Sequence, residues 1–144
     1  MPLIEFDAVT HDYPVSRGAR TVLRDVTVRL DEPRIALIGA NGSGKSTFAR
    51  MLNALVVPTS GRVRVDGLDT ATQAREIRRR VGFCFTDPDA QIVMPTVAED
   101  IAFGLRRRGL GREEVAARVD QALDTYELAD HRDHPAHLLS GGQK

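Results

Sequence analysis

The sequence predicts an α/β domain, and three observations lead to that fold class. Apolar and polar residues alternate over 3–12 and 22–30, which predicts two strands. Two short apolar runs, Ile35–Ile38 and 81–85, are typical of strands that are buried on both faces. The second half of the chain is dominated by helical segments. Strands that come first, two buried strands and later helices together favour an α/β architecture.

The other elements follow from local signals. Pro58 and Gly61 bound one turn and Asp66-Gly67 forms another, so the residues between them predict a short strand. In chain order we predict a loop at 13–20, a helix at 45–54, a strand at 62–66, a helix at 70–79, a loop at 86–95, helices at 97–106 and 112–127, a loop at 130–138 and the start of a helix at 139–144.

Composition sets limits on function. The chain has 144 residues, 42% of them hydrophobic and 28% charged, as expected for one ordinary globular domain. Its formal net charge is zero, which gives no electrostatic case for nucleic acid as a partner. The arginine runs 78–80 and 106–108 end predicted helices, where cations complement the helix dipole. The single cysteine, Cys84, alternates within an apolar run and is expected to be a small core residue.

The strongest motif follows the first buried run. It matches the pattern G-x-x-x-x-G-K-[ST] at every specified position, and its residues are Gly39, Ala40, Asn41, Gly42, Ser43, Gly44, Lys45, Ser46 and Thr47. A predicted strand precedes it and a predicted helix follows it, which is the context that a phosphate-binding P-loop requires. The motif therefore predicts that the chain binds a nucleoside triphosphate, with ATP and Mg²⁺ as the expected ligands.

The chemistry of each position explains the spacing. The three glycines permit a tight turn whose N–H groups point inward to form an anion cradle, and the helix N-terminus adds partial positive charge. Lys45 is expected to reach the β- and γ-phosphates. Ser46 is expected to ligate Mg²⁺ through its hydroxyl oxygen, and Thr47 to support the α-phosphate region.

A second motif lies near the other end of the sequence, at Leu139, Ser140, Gly141, Gly142 and Gln143. Ser140 is suited to cap a helix, and two glycines leave N–H groups bare at the positive helix end, so the segment predicts a second phosphate site. With the P-loop before it, this pentapeptide resembles the signature of the ATP-binding cassette (ABC) proteins. The resemblance implies that the signature of one subunit faces the P-loop of a partner, so that ATP is sandwiched in a homo- or heterodimer.

The resemblance extends over the whole chain, 1–144, as a partial ABC ATP-binding domain. It divides the chain into a β-rich and P-loop core at 1–85, a region at 86–138 that includes the helical subdomain, and the start of the signature at 139–144. The expected architecture has N-terminal antiparallel hairpins, part of a parallel core sheet and the helical subdomain. Tyr13 occupies the place where the family has an aromatic residue that stacks on adenine; the alternative is a surface tyrosine near a loop.

The sequence departs from the family at one functional position. Thr86 stands where the family has a glutamine that contacts Mg²⁺ and couples the site to the membrane partner. A threonine hydroxyl still offers one oxygen to the metal, with a shorter reach, and Gln91 is a less favoured substitute. We expect Thr86 to retain nucleotide binding and to alter coupling or hydrolysis.

The segment from Thr86 to Gly104 resembles one subgroup of the ABC proteins in particular. Its Pro-Asp-Ala-Gln loop and the helix after it look like those of the ATPases of energy-coupling factor importers and their cobalt, nickel and biotin relatives. The resemblance implies that a membrane transport subunit docks here, with Glu99 and Phe103 near its surface. A polar loop followed by an ordinary amphipathic helix is the alternative. The implied location is the cytoplasmic face of a prokaryotic plasma membrane.

The loop at 130–138 contains several residues of the types that bind metal ions. His131, His134 and His137 recur every third residue, with Asp130 and Asp133 between them. Imidazole and carboxylate groups suit transition metals, but Pro135 interrupts any helix that would align these side chains. A solvated loop is the favoured interpretation.

Family members continue beyond the signature with a metal-supporting aspartate, a catalytic glutamate and a γ-phosphate-sensing histidine. This sequence ends at Lys144 and contains no such catalytic residue, so we expect a fragment that hydrolyses ATP slowly, if at all. Three functions compete: the ATP-binding subunit of an importer for a vitamin or metal ion, a non-transport ABC-family ATPase, and a non-hydrolysing nucleotide-binding fragment. The sequence does not identify the transported solute.

Overall fold

The protein was analysed as a computed structural model, which describes residues 3–106 and 108–144. Arg107, the middle residue of the second arginine run, lies outside that range. The strands are β1 (Ile4–Val15), β2 (Gly18–Leu30), β3 (Ser60–Val65) and β4 (Leu68–Asp69), and the helices are α1 (Lys45–Leu52), α2 (Ala74–Arg80), α3 (Val97–Leu105) and α4 (Arg112–Thr125). Short 3₁₀ turns occupy Asp89–Gln91, Ala129–His131 and Ala136–Leu138. The chain forms two compact units, residues 1–83 and 84–144.

The first unit is built on an antiparallel sheet with the strand order β2-β1-β3-β4. β1 and β2 form a long hairpin whose turn is Ser16-Arg17, so most of the loop predicted at 13–20 is strand. The prediction missed this because Pro14 and Gly18 resemble turn residues, whereas in the hairpin they pair with Ala19 and Val15. The hairpin thereby fixes Tyr13 on a strand.

Helix α1 packs against this sheet and closes the first core. The core residues are Phe6, Val9, Leu23, Met51 and Val63. Phe6 of β1 stacks on Phe48 of α1, with ring centroids 4.0 Å apart and planes 4° from parallel. Burial of these apolar side chains is the main force that holds the helix on the sheet. The start of α1, and with it the P-loop that leads into it, is therefore positioned by the hairpin.

The two buried strands predicted for a parallel core are not strands here. Residues 35–38 and 81–85 have no regular secondary structure, and among the described residues no strand pairs with either run. Ile38 is 90% exposed, and Cys84 and Phe85 are exposed as well, so the expectation of a core cysteine is wrong. An apolar run forms a strand only where neighbouring strands satisfy its N–H and C=O groups, because an unpaired strand has no ladder to stabilise it.

The second unit is helical, and its core lies between α3, α4 and the segment before the signature. The buried members are Val97, Val119, Leu123, Ala136 and Leu139. Thr96 caps α3 by accepting a hydrogen bond from the Glu99 N–H, and the Glu99 carboxylate accepts one from the Thr96 N–H in return. This capping box fixes where α3 begins. The helix starts at Val97, as predicted.

The histidine-rich segment is tied to the start of α3 by backbone hydrogen bonds. The N–H of Val97 donates to the His134 carbonyl at 3.2 Å, and the N–H of Ala136 donates to the Pro95 carbonyl at 3.0 Å. Arg132 pairs with Asp120 of α4, and that hydrogen bond and charge raise the pKa of the guanidinium. The histidine-rich segment, residues 130–138, is thus held against the helices and ends at the signature. We call this segment the strap.

Candidate functional site

The P-loop connects residues 35–38, which have no regular secondary structure, to helix α1. Gly44 is the N-cap of α1 and has a left-handed backbone, with φ 95° and ψ 0°. A Cβ at Gly44 would lie 2.9 Å from Leu23 Cδ2 and 3.0 Å from the Val22 carbonyl oxygen, so β2 also requires glycine at this point. The motif places glycine here because only glycine combines this backbone angle with such close packing.

Lys45 folds back over the loop. Its Nζ donates to the Gly39 carbonyl at 2.8 Å and to the Ala40 carbonyl at 2.7 Å. The loop itself is closed by the N–H of Ser43, which donates to the Ala40 carbonyl at 3.2 Å. An ammonium group has three donors, so one remains for an anion held above the loop. The lysine and the helix N-terminus put positive charge on the same side of a tight turn.

The remaining P-loop residues divide into exposed and buried positions. Asn41, Gly42 and Ser43 are exposed at the crest of the loop, and Ser46 is exposed on the first turn of α1. Thr47 is only 6% exposed and faces the sheet. Ser46 is therefore free to present its hydroxyl to a ligand, whereas Thr47 takes part in packing.

Tyr13 contacts the helix that follows the P-loop, and the residue it contacts is Thr47. The Tyr13 hydroxyl oxygen is 3.3 Å from Thr47 Oγ1, and its ring meets the buried His11 ring edge to face at a centroid distance of 4.6 Å. These contacts hold the ring beside the start of α1. Tyr13 was predicted to lie at the nucleotide site. The contact with His11 was not predicted, because the position of a histidine in an alternating strand does not indicate which side chains it touches.

The P-loop residues fit a magnesium-bound nucleoside triphosphate. A Cβ at Gly39 would lie 2.8 Å from Ser43 Oγ, so the cradle is too tight for a side chain at that position. Its donors are backbone N–H groups and one ammonium, which suit phosphate oxygens, and the Ser46 hydroxyl offers a hard oxygen ligand of the kind that Mg²⁺ prefers.

The signature segment belongs to the second unit. Leu139 is 9% exposed and packs into the helical core, which anchors the motif. The N–H groups of Gln143 and Lys144 both donate to the Ser140 carbonyl, at 3.0 and 3.1 Å, and form a turn where the sequence predicted the start of a helix. Gly141 and Gly142 are exposed at that turn. Within the described ranges, neither glycine N–H donates to a protein acceptor.

Two side chains hold the signature turn. Gln143 Oε1 accepts a hydrogen bond from the Ser140 N–H at 3.0 Å, and Gln143 Nε2 lies 3.0 Å from His131 Nε2. Lys144 Nζ pairs with Asp89 Oδ1 at 2.5 Å. The contacts with His131 and Asp89 could not be predicted from the sequence, because they join residues 12 and 55 positions apart.

The loop from Thr86 to Pro95 is ordered by short-range hydrogen bonds. Asp100 Oδ1 accepts from the N–H groups of Val93 and Met94, at 2.8 and 2.9 Å. Thr86 is exposed. Phe103 is 38% exposed, with the Arg106 guanidinium 5.0 Å from its ring centroid. Glu99 is part of the capping box that begins α3. It was predicted only to lie near a partner surface, and this structural role was missed.

Together, the sheet-packed helix and its glycine-rich turn define a P-loop domain. A family model described as "ABC transporter" matches residues 23–144. The chain therefore belongs to the ABC transporter family, as the two motifs predicted. Across the part of the chain that the structure describes, no helix is both long enough and apolar enough to cross a lipid bilayer.

Curated relatives agree with this assignment. The chain is 53% identical over its whole length to a putative ABC transporter ATP-binding protein of Bartonella quintana, of which it covers 62%. It is 49% identical over 90% of its length to the biotin transport ATP-binding protein BioM of Rhizobium etli, of which it covers 57%. It is 53% identical over 83% of its length to the energy-coupling factor transporter ATP-binding protein EcfA1 of Symbiobacterium thermophilum, of which it covers 42%.

A solved structure confirms the fold. The chain is similar to the dimeric ATP-binding cassette MJ0796, solved in a post-hydrolysis state bound to ADP and Pi, with a TM-score of 0.81 and 29% identity. The match covers 97% of this chain and 64% of that one. The predicted ABC-ATPase fold class is thus confirmed, and the chain spans less than two thirds of the relatives that it matches.

Proposed function

We propose that the P-loop binds ATP with Mg²⁺ through the positions that the motif predicts. The observation that carries the proposal is the position of Lys45, whose Nζ lies over the loop on the Gly39 and Ala40 carbonyls with one donor unused. Ser46 would ligate Mg²⁺, and the N–H groups of residues 40–47 would surround the phosphates. The base would stack on Tyr13.

Calorimetric titration of the protein with MgATP tests this proposal. Lys45→Met should weaken binding about ten- to hundredfold, because a charge-assisted hydrogen bond contributes roughly 1.5–3 kcal/mol. Lys144→Met is the matched control, since Lys144 is the only other lysine of the chain. Equal affinity of wild type and Lys45→Met would reject the P-loop as the nucleotide site.

The proposed role of the whole protein is the ATP-binding subunit of an importer that takes up a small solute, a vitamin or a metal ion. The names of the BioM and EcfA1 relatives support this role, and so does the segment from Thr86 to Gly104, which resembles that of energy-coupling importers. The protein would work as a dimer with another cassette, at the cytoplasmic face of the membrane. Co-purification with a membrane subunit tests the role; consistent recovery without one would contradict it.

The same region would form the contact with the membrane subunit. Phe103 offers a half-exposed aromatic face on α3, and Val93 in the preceding loop is 62% exposed. Site-specific crosslinkers at these two positions should capture the membrane subunit, whereas a crosslinker at Tyr126, which is 73% exposed in the same unit, should capture less. Equal capture from all three positions would argue against this surface.

Thr86 would modify the coupling of ATP hydrolysis to transport and would leave nucleotide binding unchanged. Its hydroxyl oxygen offers one ligand to Mg²⁺ with a shorter reach than glutamine. In the assembled transporter, Thr86→Gln should change the ratio of transport to ATP hydrolysis while MgATP affinity stays constant. An unchanged ratio would remove Thr86 from the proposal.

A further inference from the structure

His131 is hydrogen-bonded to the glutamine of the signature, and the geometry fixes which atom donates. Gln143 Nε2 and His131 Nε2 lie 3.0 Å apart. An amide nitrogen only donates, so the imidazole nitrogen that faces it must accept. A neutral His131 ring in this hydrogen bond would therefore accept at Nε2 and carry its proton on Nδ1.

The orientation of the Gln143 amide is fixed by its other contact. Oε1 accepts from the Ser140 N–H at 3.0 Å. A flipped amide would turn its NH₂ group toward the Ser140 N–H, so that two donors would face each other. One orientation satisfies both partners, and it requires the Nδ1–H form of His131.

The backbone around His131 keeps the ring in place. Its N–H donates to the Leu128 carbonyl and its carbonyl accepts from the His134 N–H, each at 2.9 Å. The His134 ring meets it edge to face, with centroids 5.5 Å apart. The adjoining strap enters the helical core through Ala136 and Leu139. The imidazole is thus presented to the signature by an ordered segment.

We propose that His131 is a positioning residue for the signature: as a hydrogen-bond acceptor it holds Gln143, and Gln143 holds the Ser140 N–H. This arrangement fixes the turn in which the N–H groups of Gly141 and Gly142 are left for phosphate oxygens of the nucleotide on a partner cassette. The inference rests on the proposed function, because it assigns His131 to the ATP sandwich of a dimer.

The first test measures the tautomer. Long-range ¹H–¹⁵N correlation spectra of the whole protein, labelled at histidine, distinguish Nδ1–H from Nε2–H rings. We expect His131 as the Nδ1–H form in the wild type, and we expect that bias to be lost in Gln143→Leu. His137→Gln, at an exposed position of the same strap, assists the spectral assignment and should leave the His131 signal unchanged.

The second test measures MgATP-dependent association of two copies by sedimentation. His131→Gln keeps an acceptor near the place of Nε2 and should associate like the wild type. His131→Arg only donates, and it should weaken association about five- to tenfold, the effect of one or two lost hydrogen bonds. His137→Arg is the matched control for the added charge.

The outcomes separate the two proposals. An Nε2–H ring in the wild type, an unchanged tautomer in Gln143→Leu, or wild-type association of His131→Arg would overturn the role of His131. A wild-type protein that shows the Nδ1–H ring but binds no MgATP would overturn the proposed function instead.

Discussion

The hydroxyl oxygen of Tyr13 on β1 lies 3.3 Å from Oγ1 of Thr47 on α1, so the first hairpin and the P-loop helix meet through two polar side chains. Thr47 is buried, and its hydroxyl is directed at the sheet side of the helix. The contact places an aromatic ring beside the nucleotide site that the P-loop predicts. It also leads to the first prediction.

Tyr13→Ala should weaken MgATP binding about five- to hundredfold, because stacking of a base on an aromatic ring contributes about 1–3 kcal/mol. Tyr13→Phe retains the ring and loses only the contact with Thr47, so it should bind nearly as the wild type does. Calorimetry with magnesium tripolyphosphate, which has no base, is the control. A loss of tripolyphosphate affinity in Tyr13→Ala would mean that the ring supports the P-loop and not the base.

Gly61 is required by the close approach of β3 to β1. Its φ is +79°, and an added Cβ would lie 2.3 Å from the Ala8 carbonyl oxygen. Gly61→Ala should lower the free energy of unfolding by about 3 kcal/mol or more in urea denaturation, because both the backbone angle and the contact are unfavourable. Gly67→Ala is the matched control: φ is +76°, with nothing within 4 Å of the added Cβ. Equal losses would show that the contact has no separate effect.

Glu99 has a structural role in the capping box of α3 and a proposed role at the surface that contacts a membrane subunit, and substitutions can distinguish the two. Thr96→Ala removes the side chain that accepts from the Glu99 N–H and should lower the free energy of unfolding by about 1 kcal/mol, whereas Thr96→Ser should be neutral. Glu99→Gln retains a capping acceptor and removes the charge, so its stability should be close to wild type. If Glu99→Gln still reduces capture of a membrane subunit, the carboxylate charge acts at the partner surface.

The ion pair between Asp89 and Lys144 links the loop at 86–95 to the end of the signature. The two groups lie 2.5 Å apart, and the side chains of Lys144 and Asp89 are 9% and 62% exposed, so the pair is open to water on the carboxylate side and the coupling energy should be about 1 kcal/mol. A double-mutant cycle with Asp89→Lys, Lys144→Asp and the charge-swapped pair should recover most of the stability that the single variants lose. The coupling should fall with added salt, because ions in solution can screen the exposed Asp89 carboxylate. A coupling energy of zero at low salt would show that the pair is incidental.

Several elements could be predicted because their signals are local. The P-loop is a contiguous motif, and the start of α3 is marked by Thr96 and Glu99 three residues apart. The runs 35–38 and 81–85 were predicted as strands from their apolar composition, but neither is a strand here. A buried parallel strand depends on neighbouring strands, and no local pattern reports whether they are present.

The glycine-rich turn with its lysine and the signature could be predicted from the residues alone, because each motif is a run of consecutive residues, and the two motifs together indicated the family. The folded structure was needed to show that Tyr13 meets Thr47, that the side-chain nitrogens of His131 and Gln143 meet and that Lys144 pairs with Asp89. These contacts join residues separated by 12 to 55 positions. A hydrogen bond depends on where the folded chain places donor and acceptor, and burial in the two hydrophobic cores decides that placement.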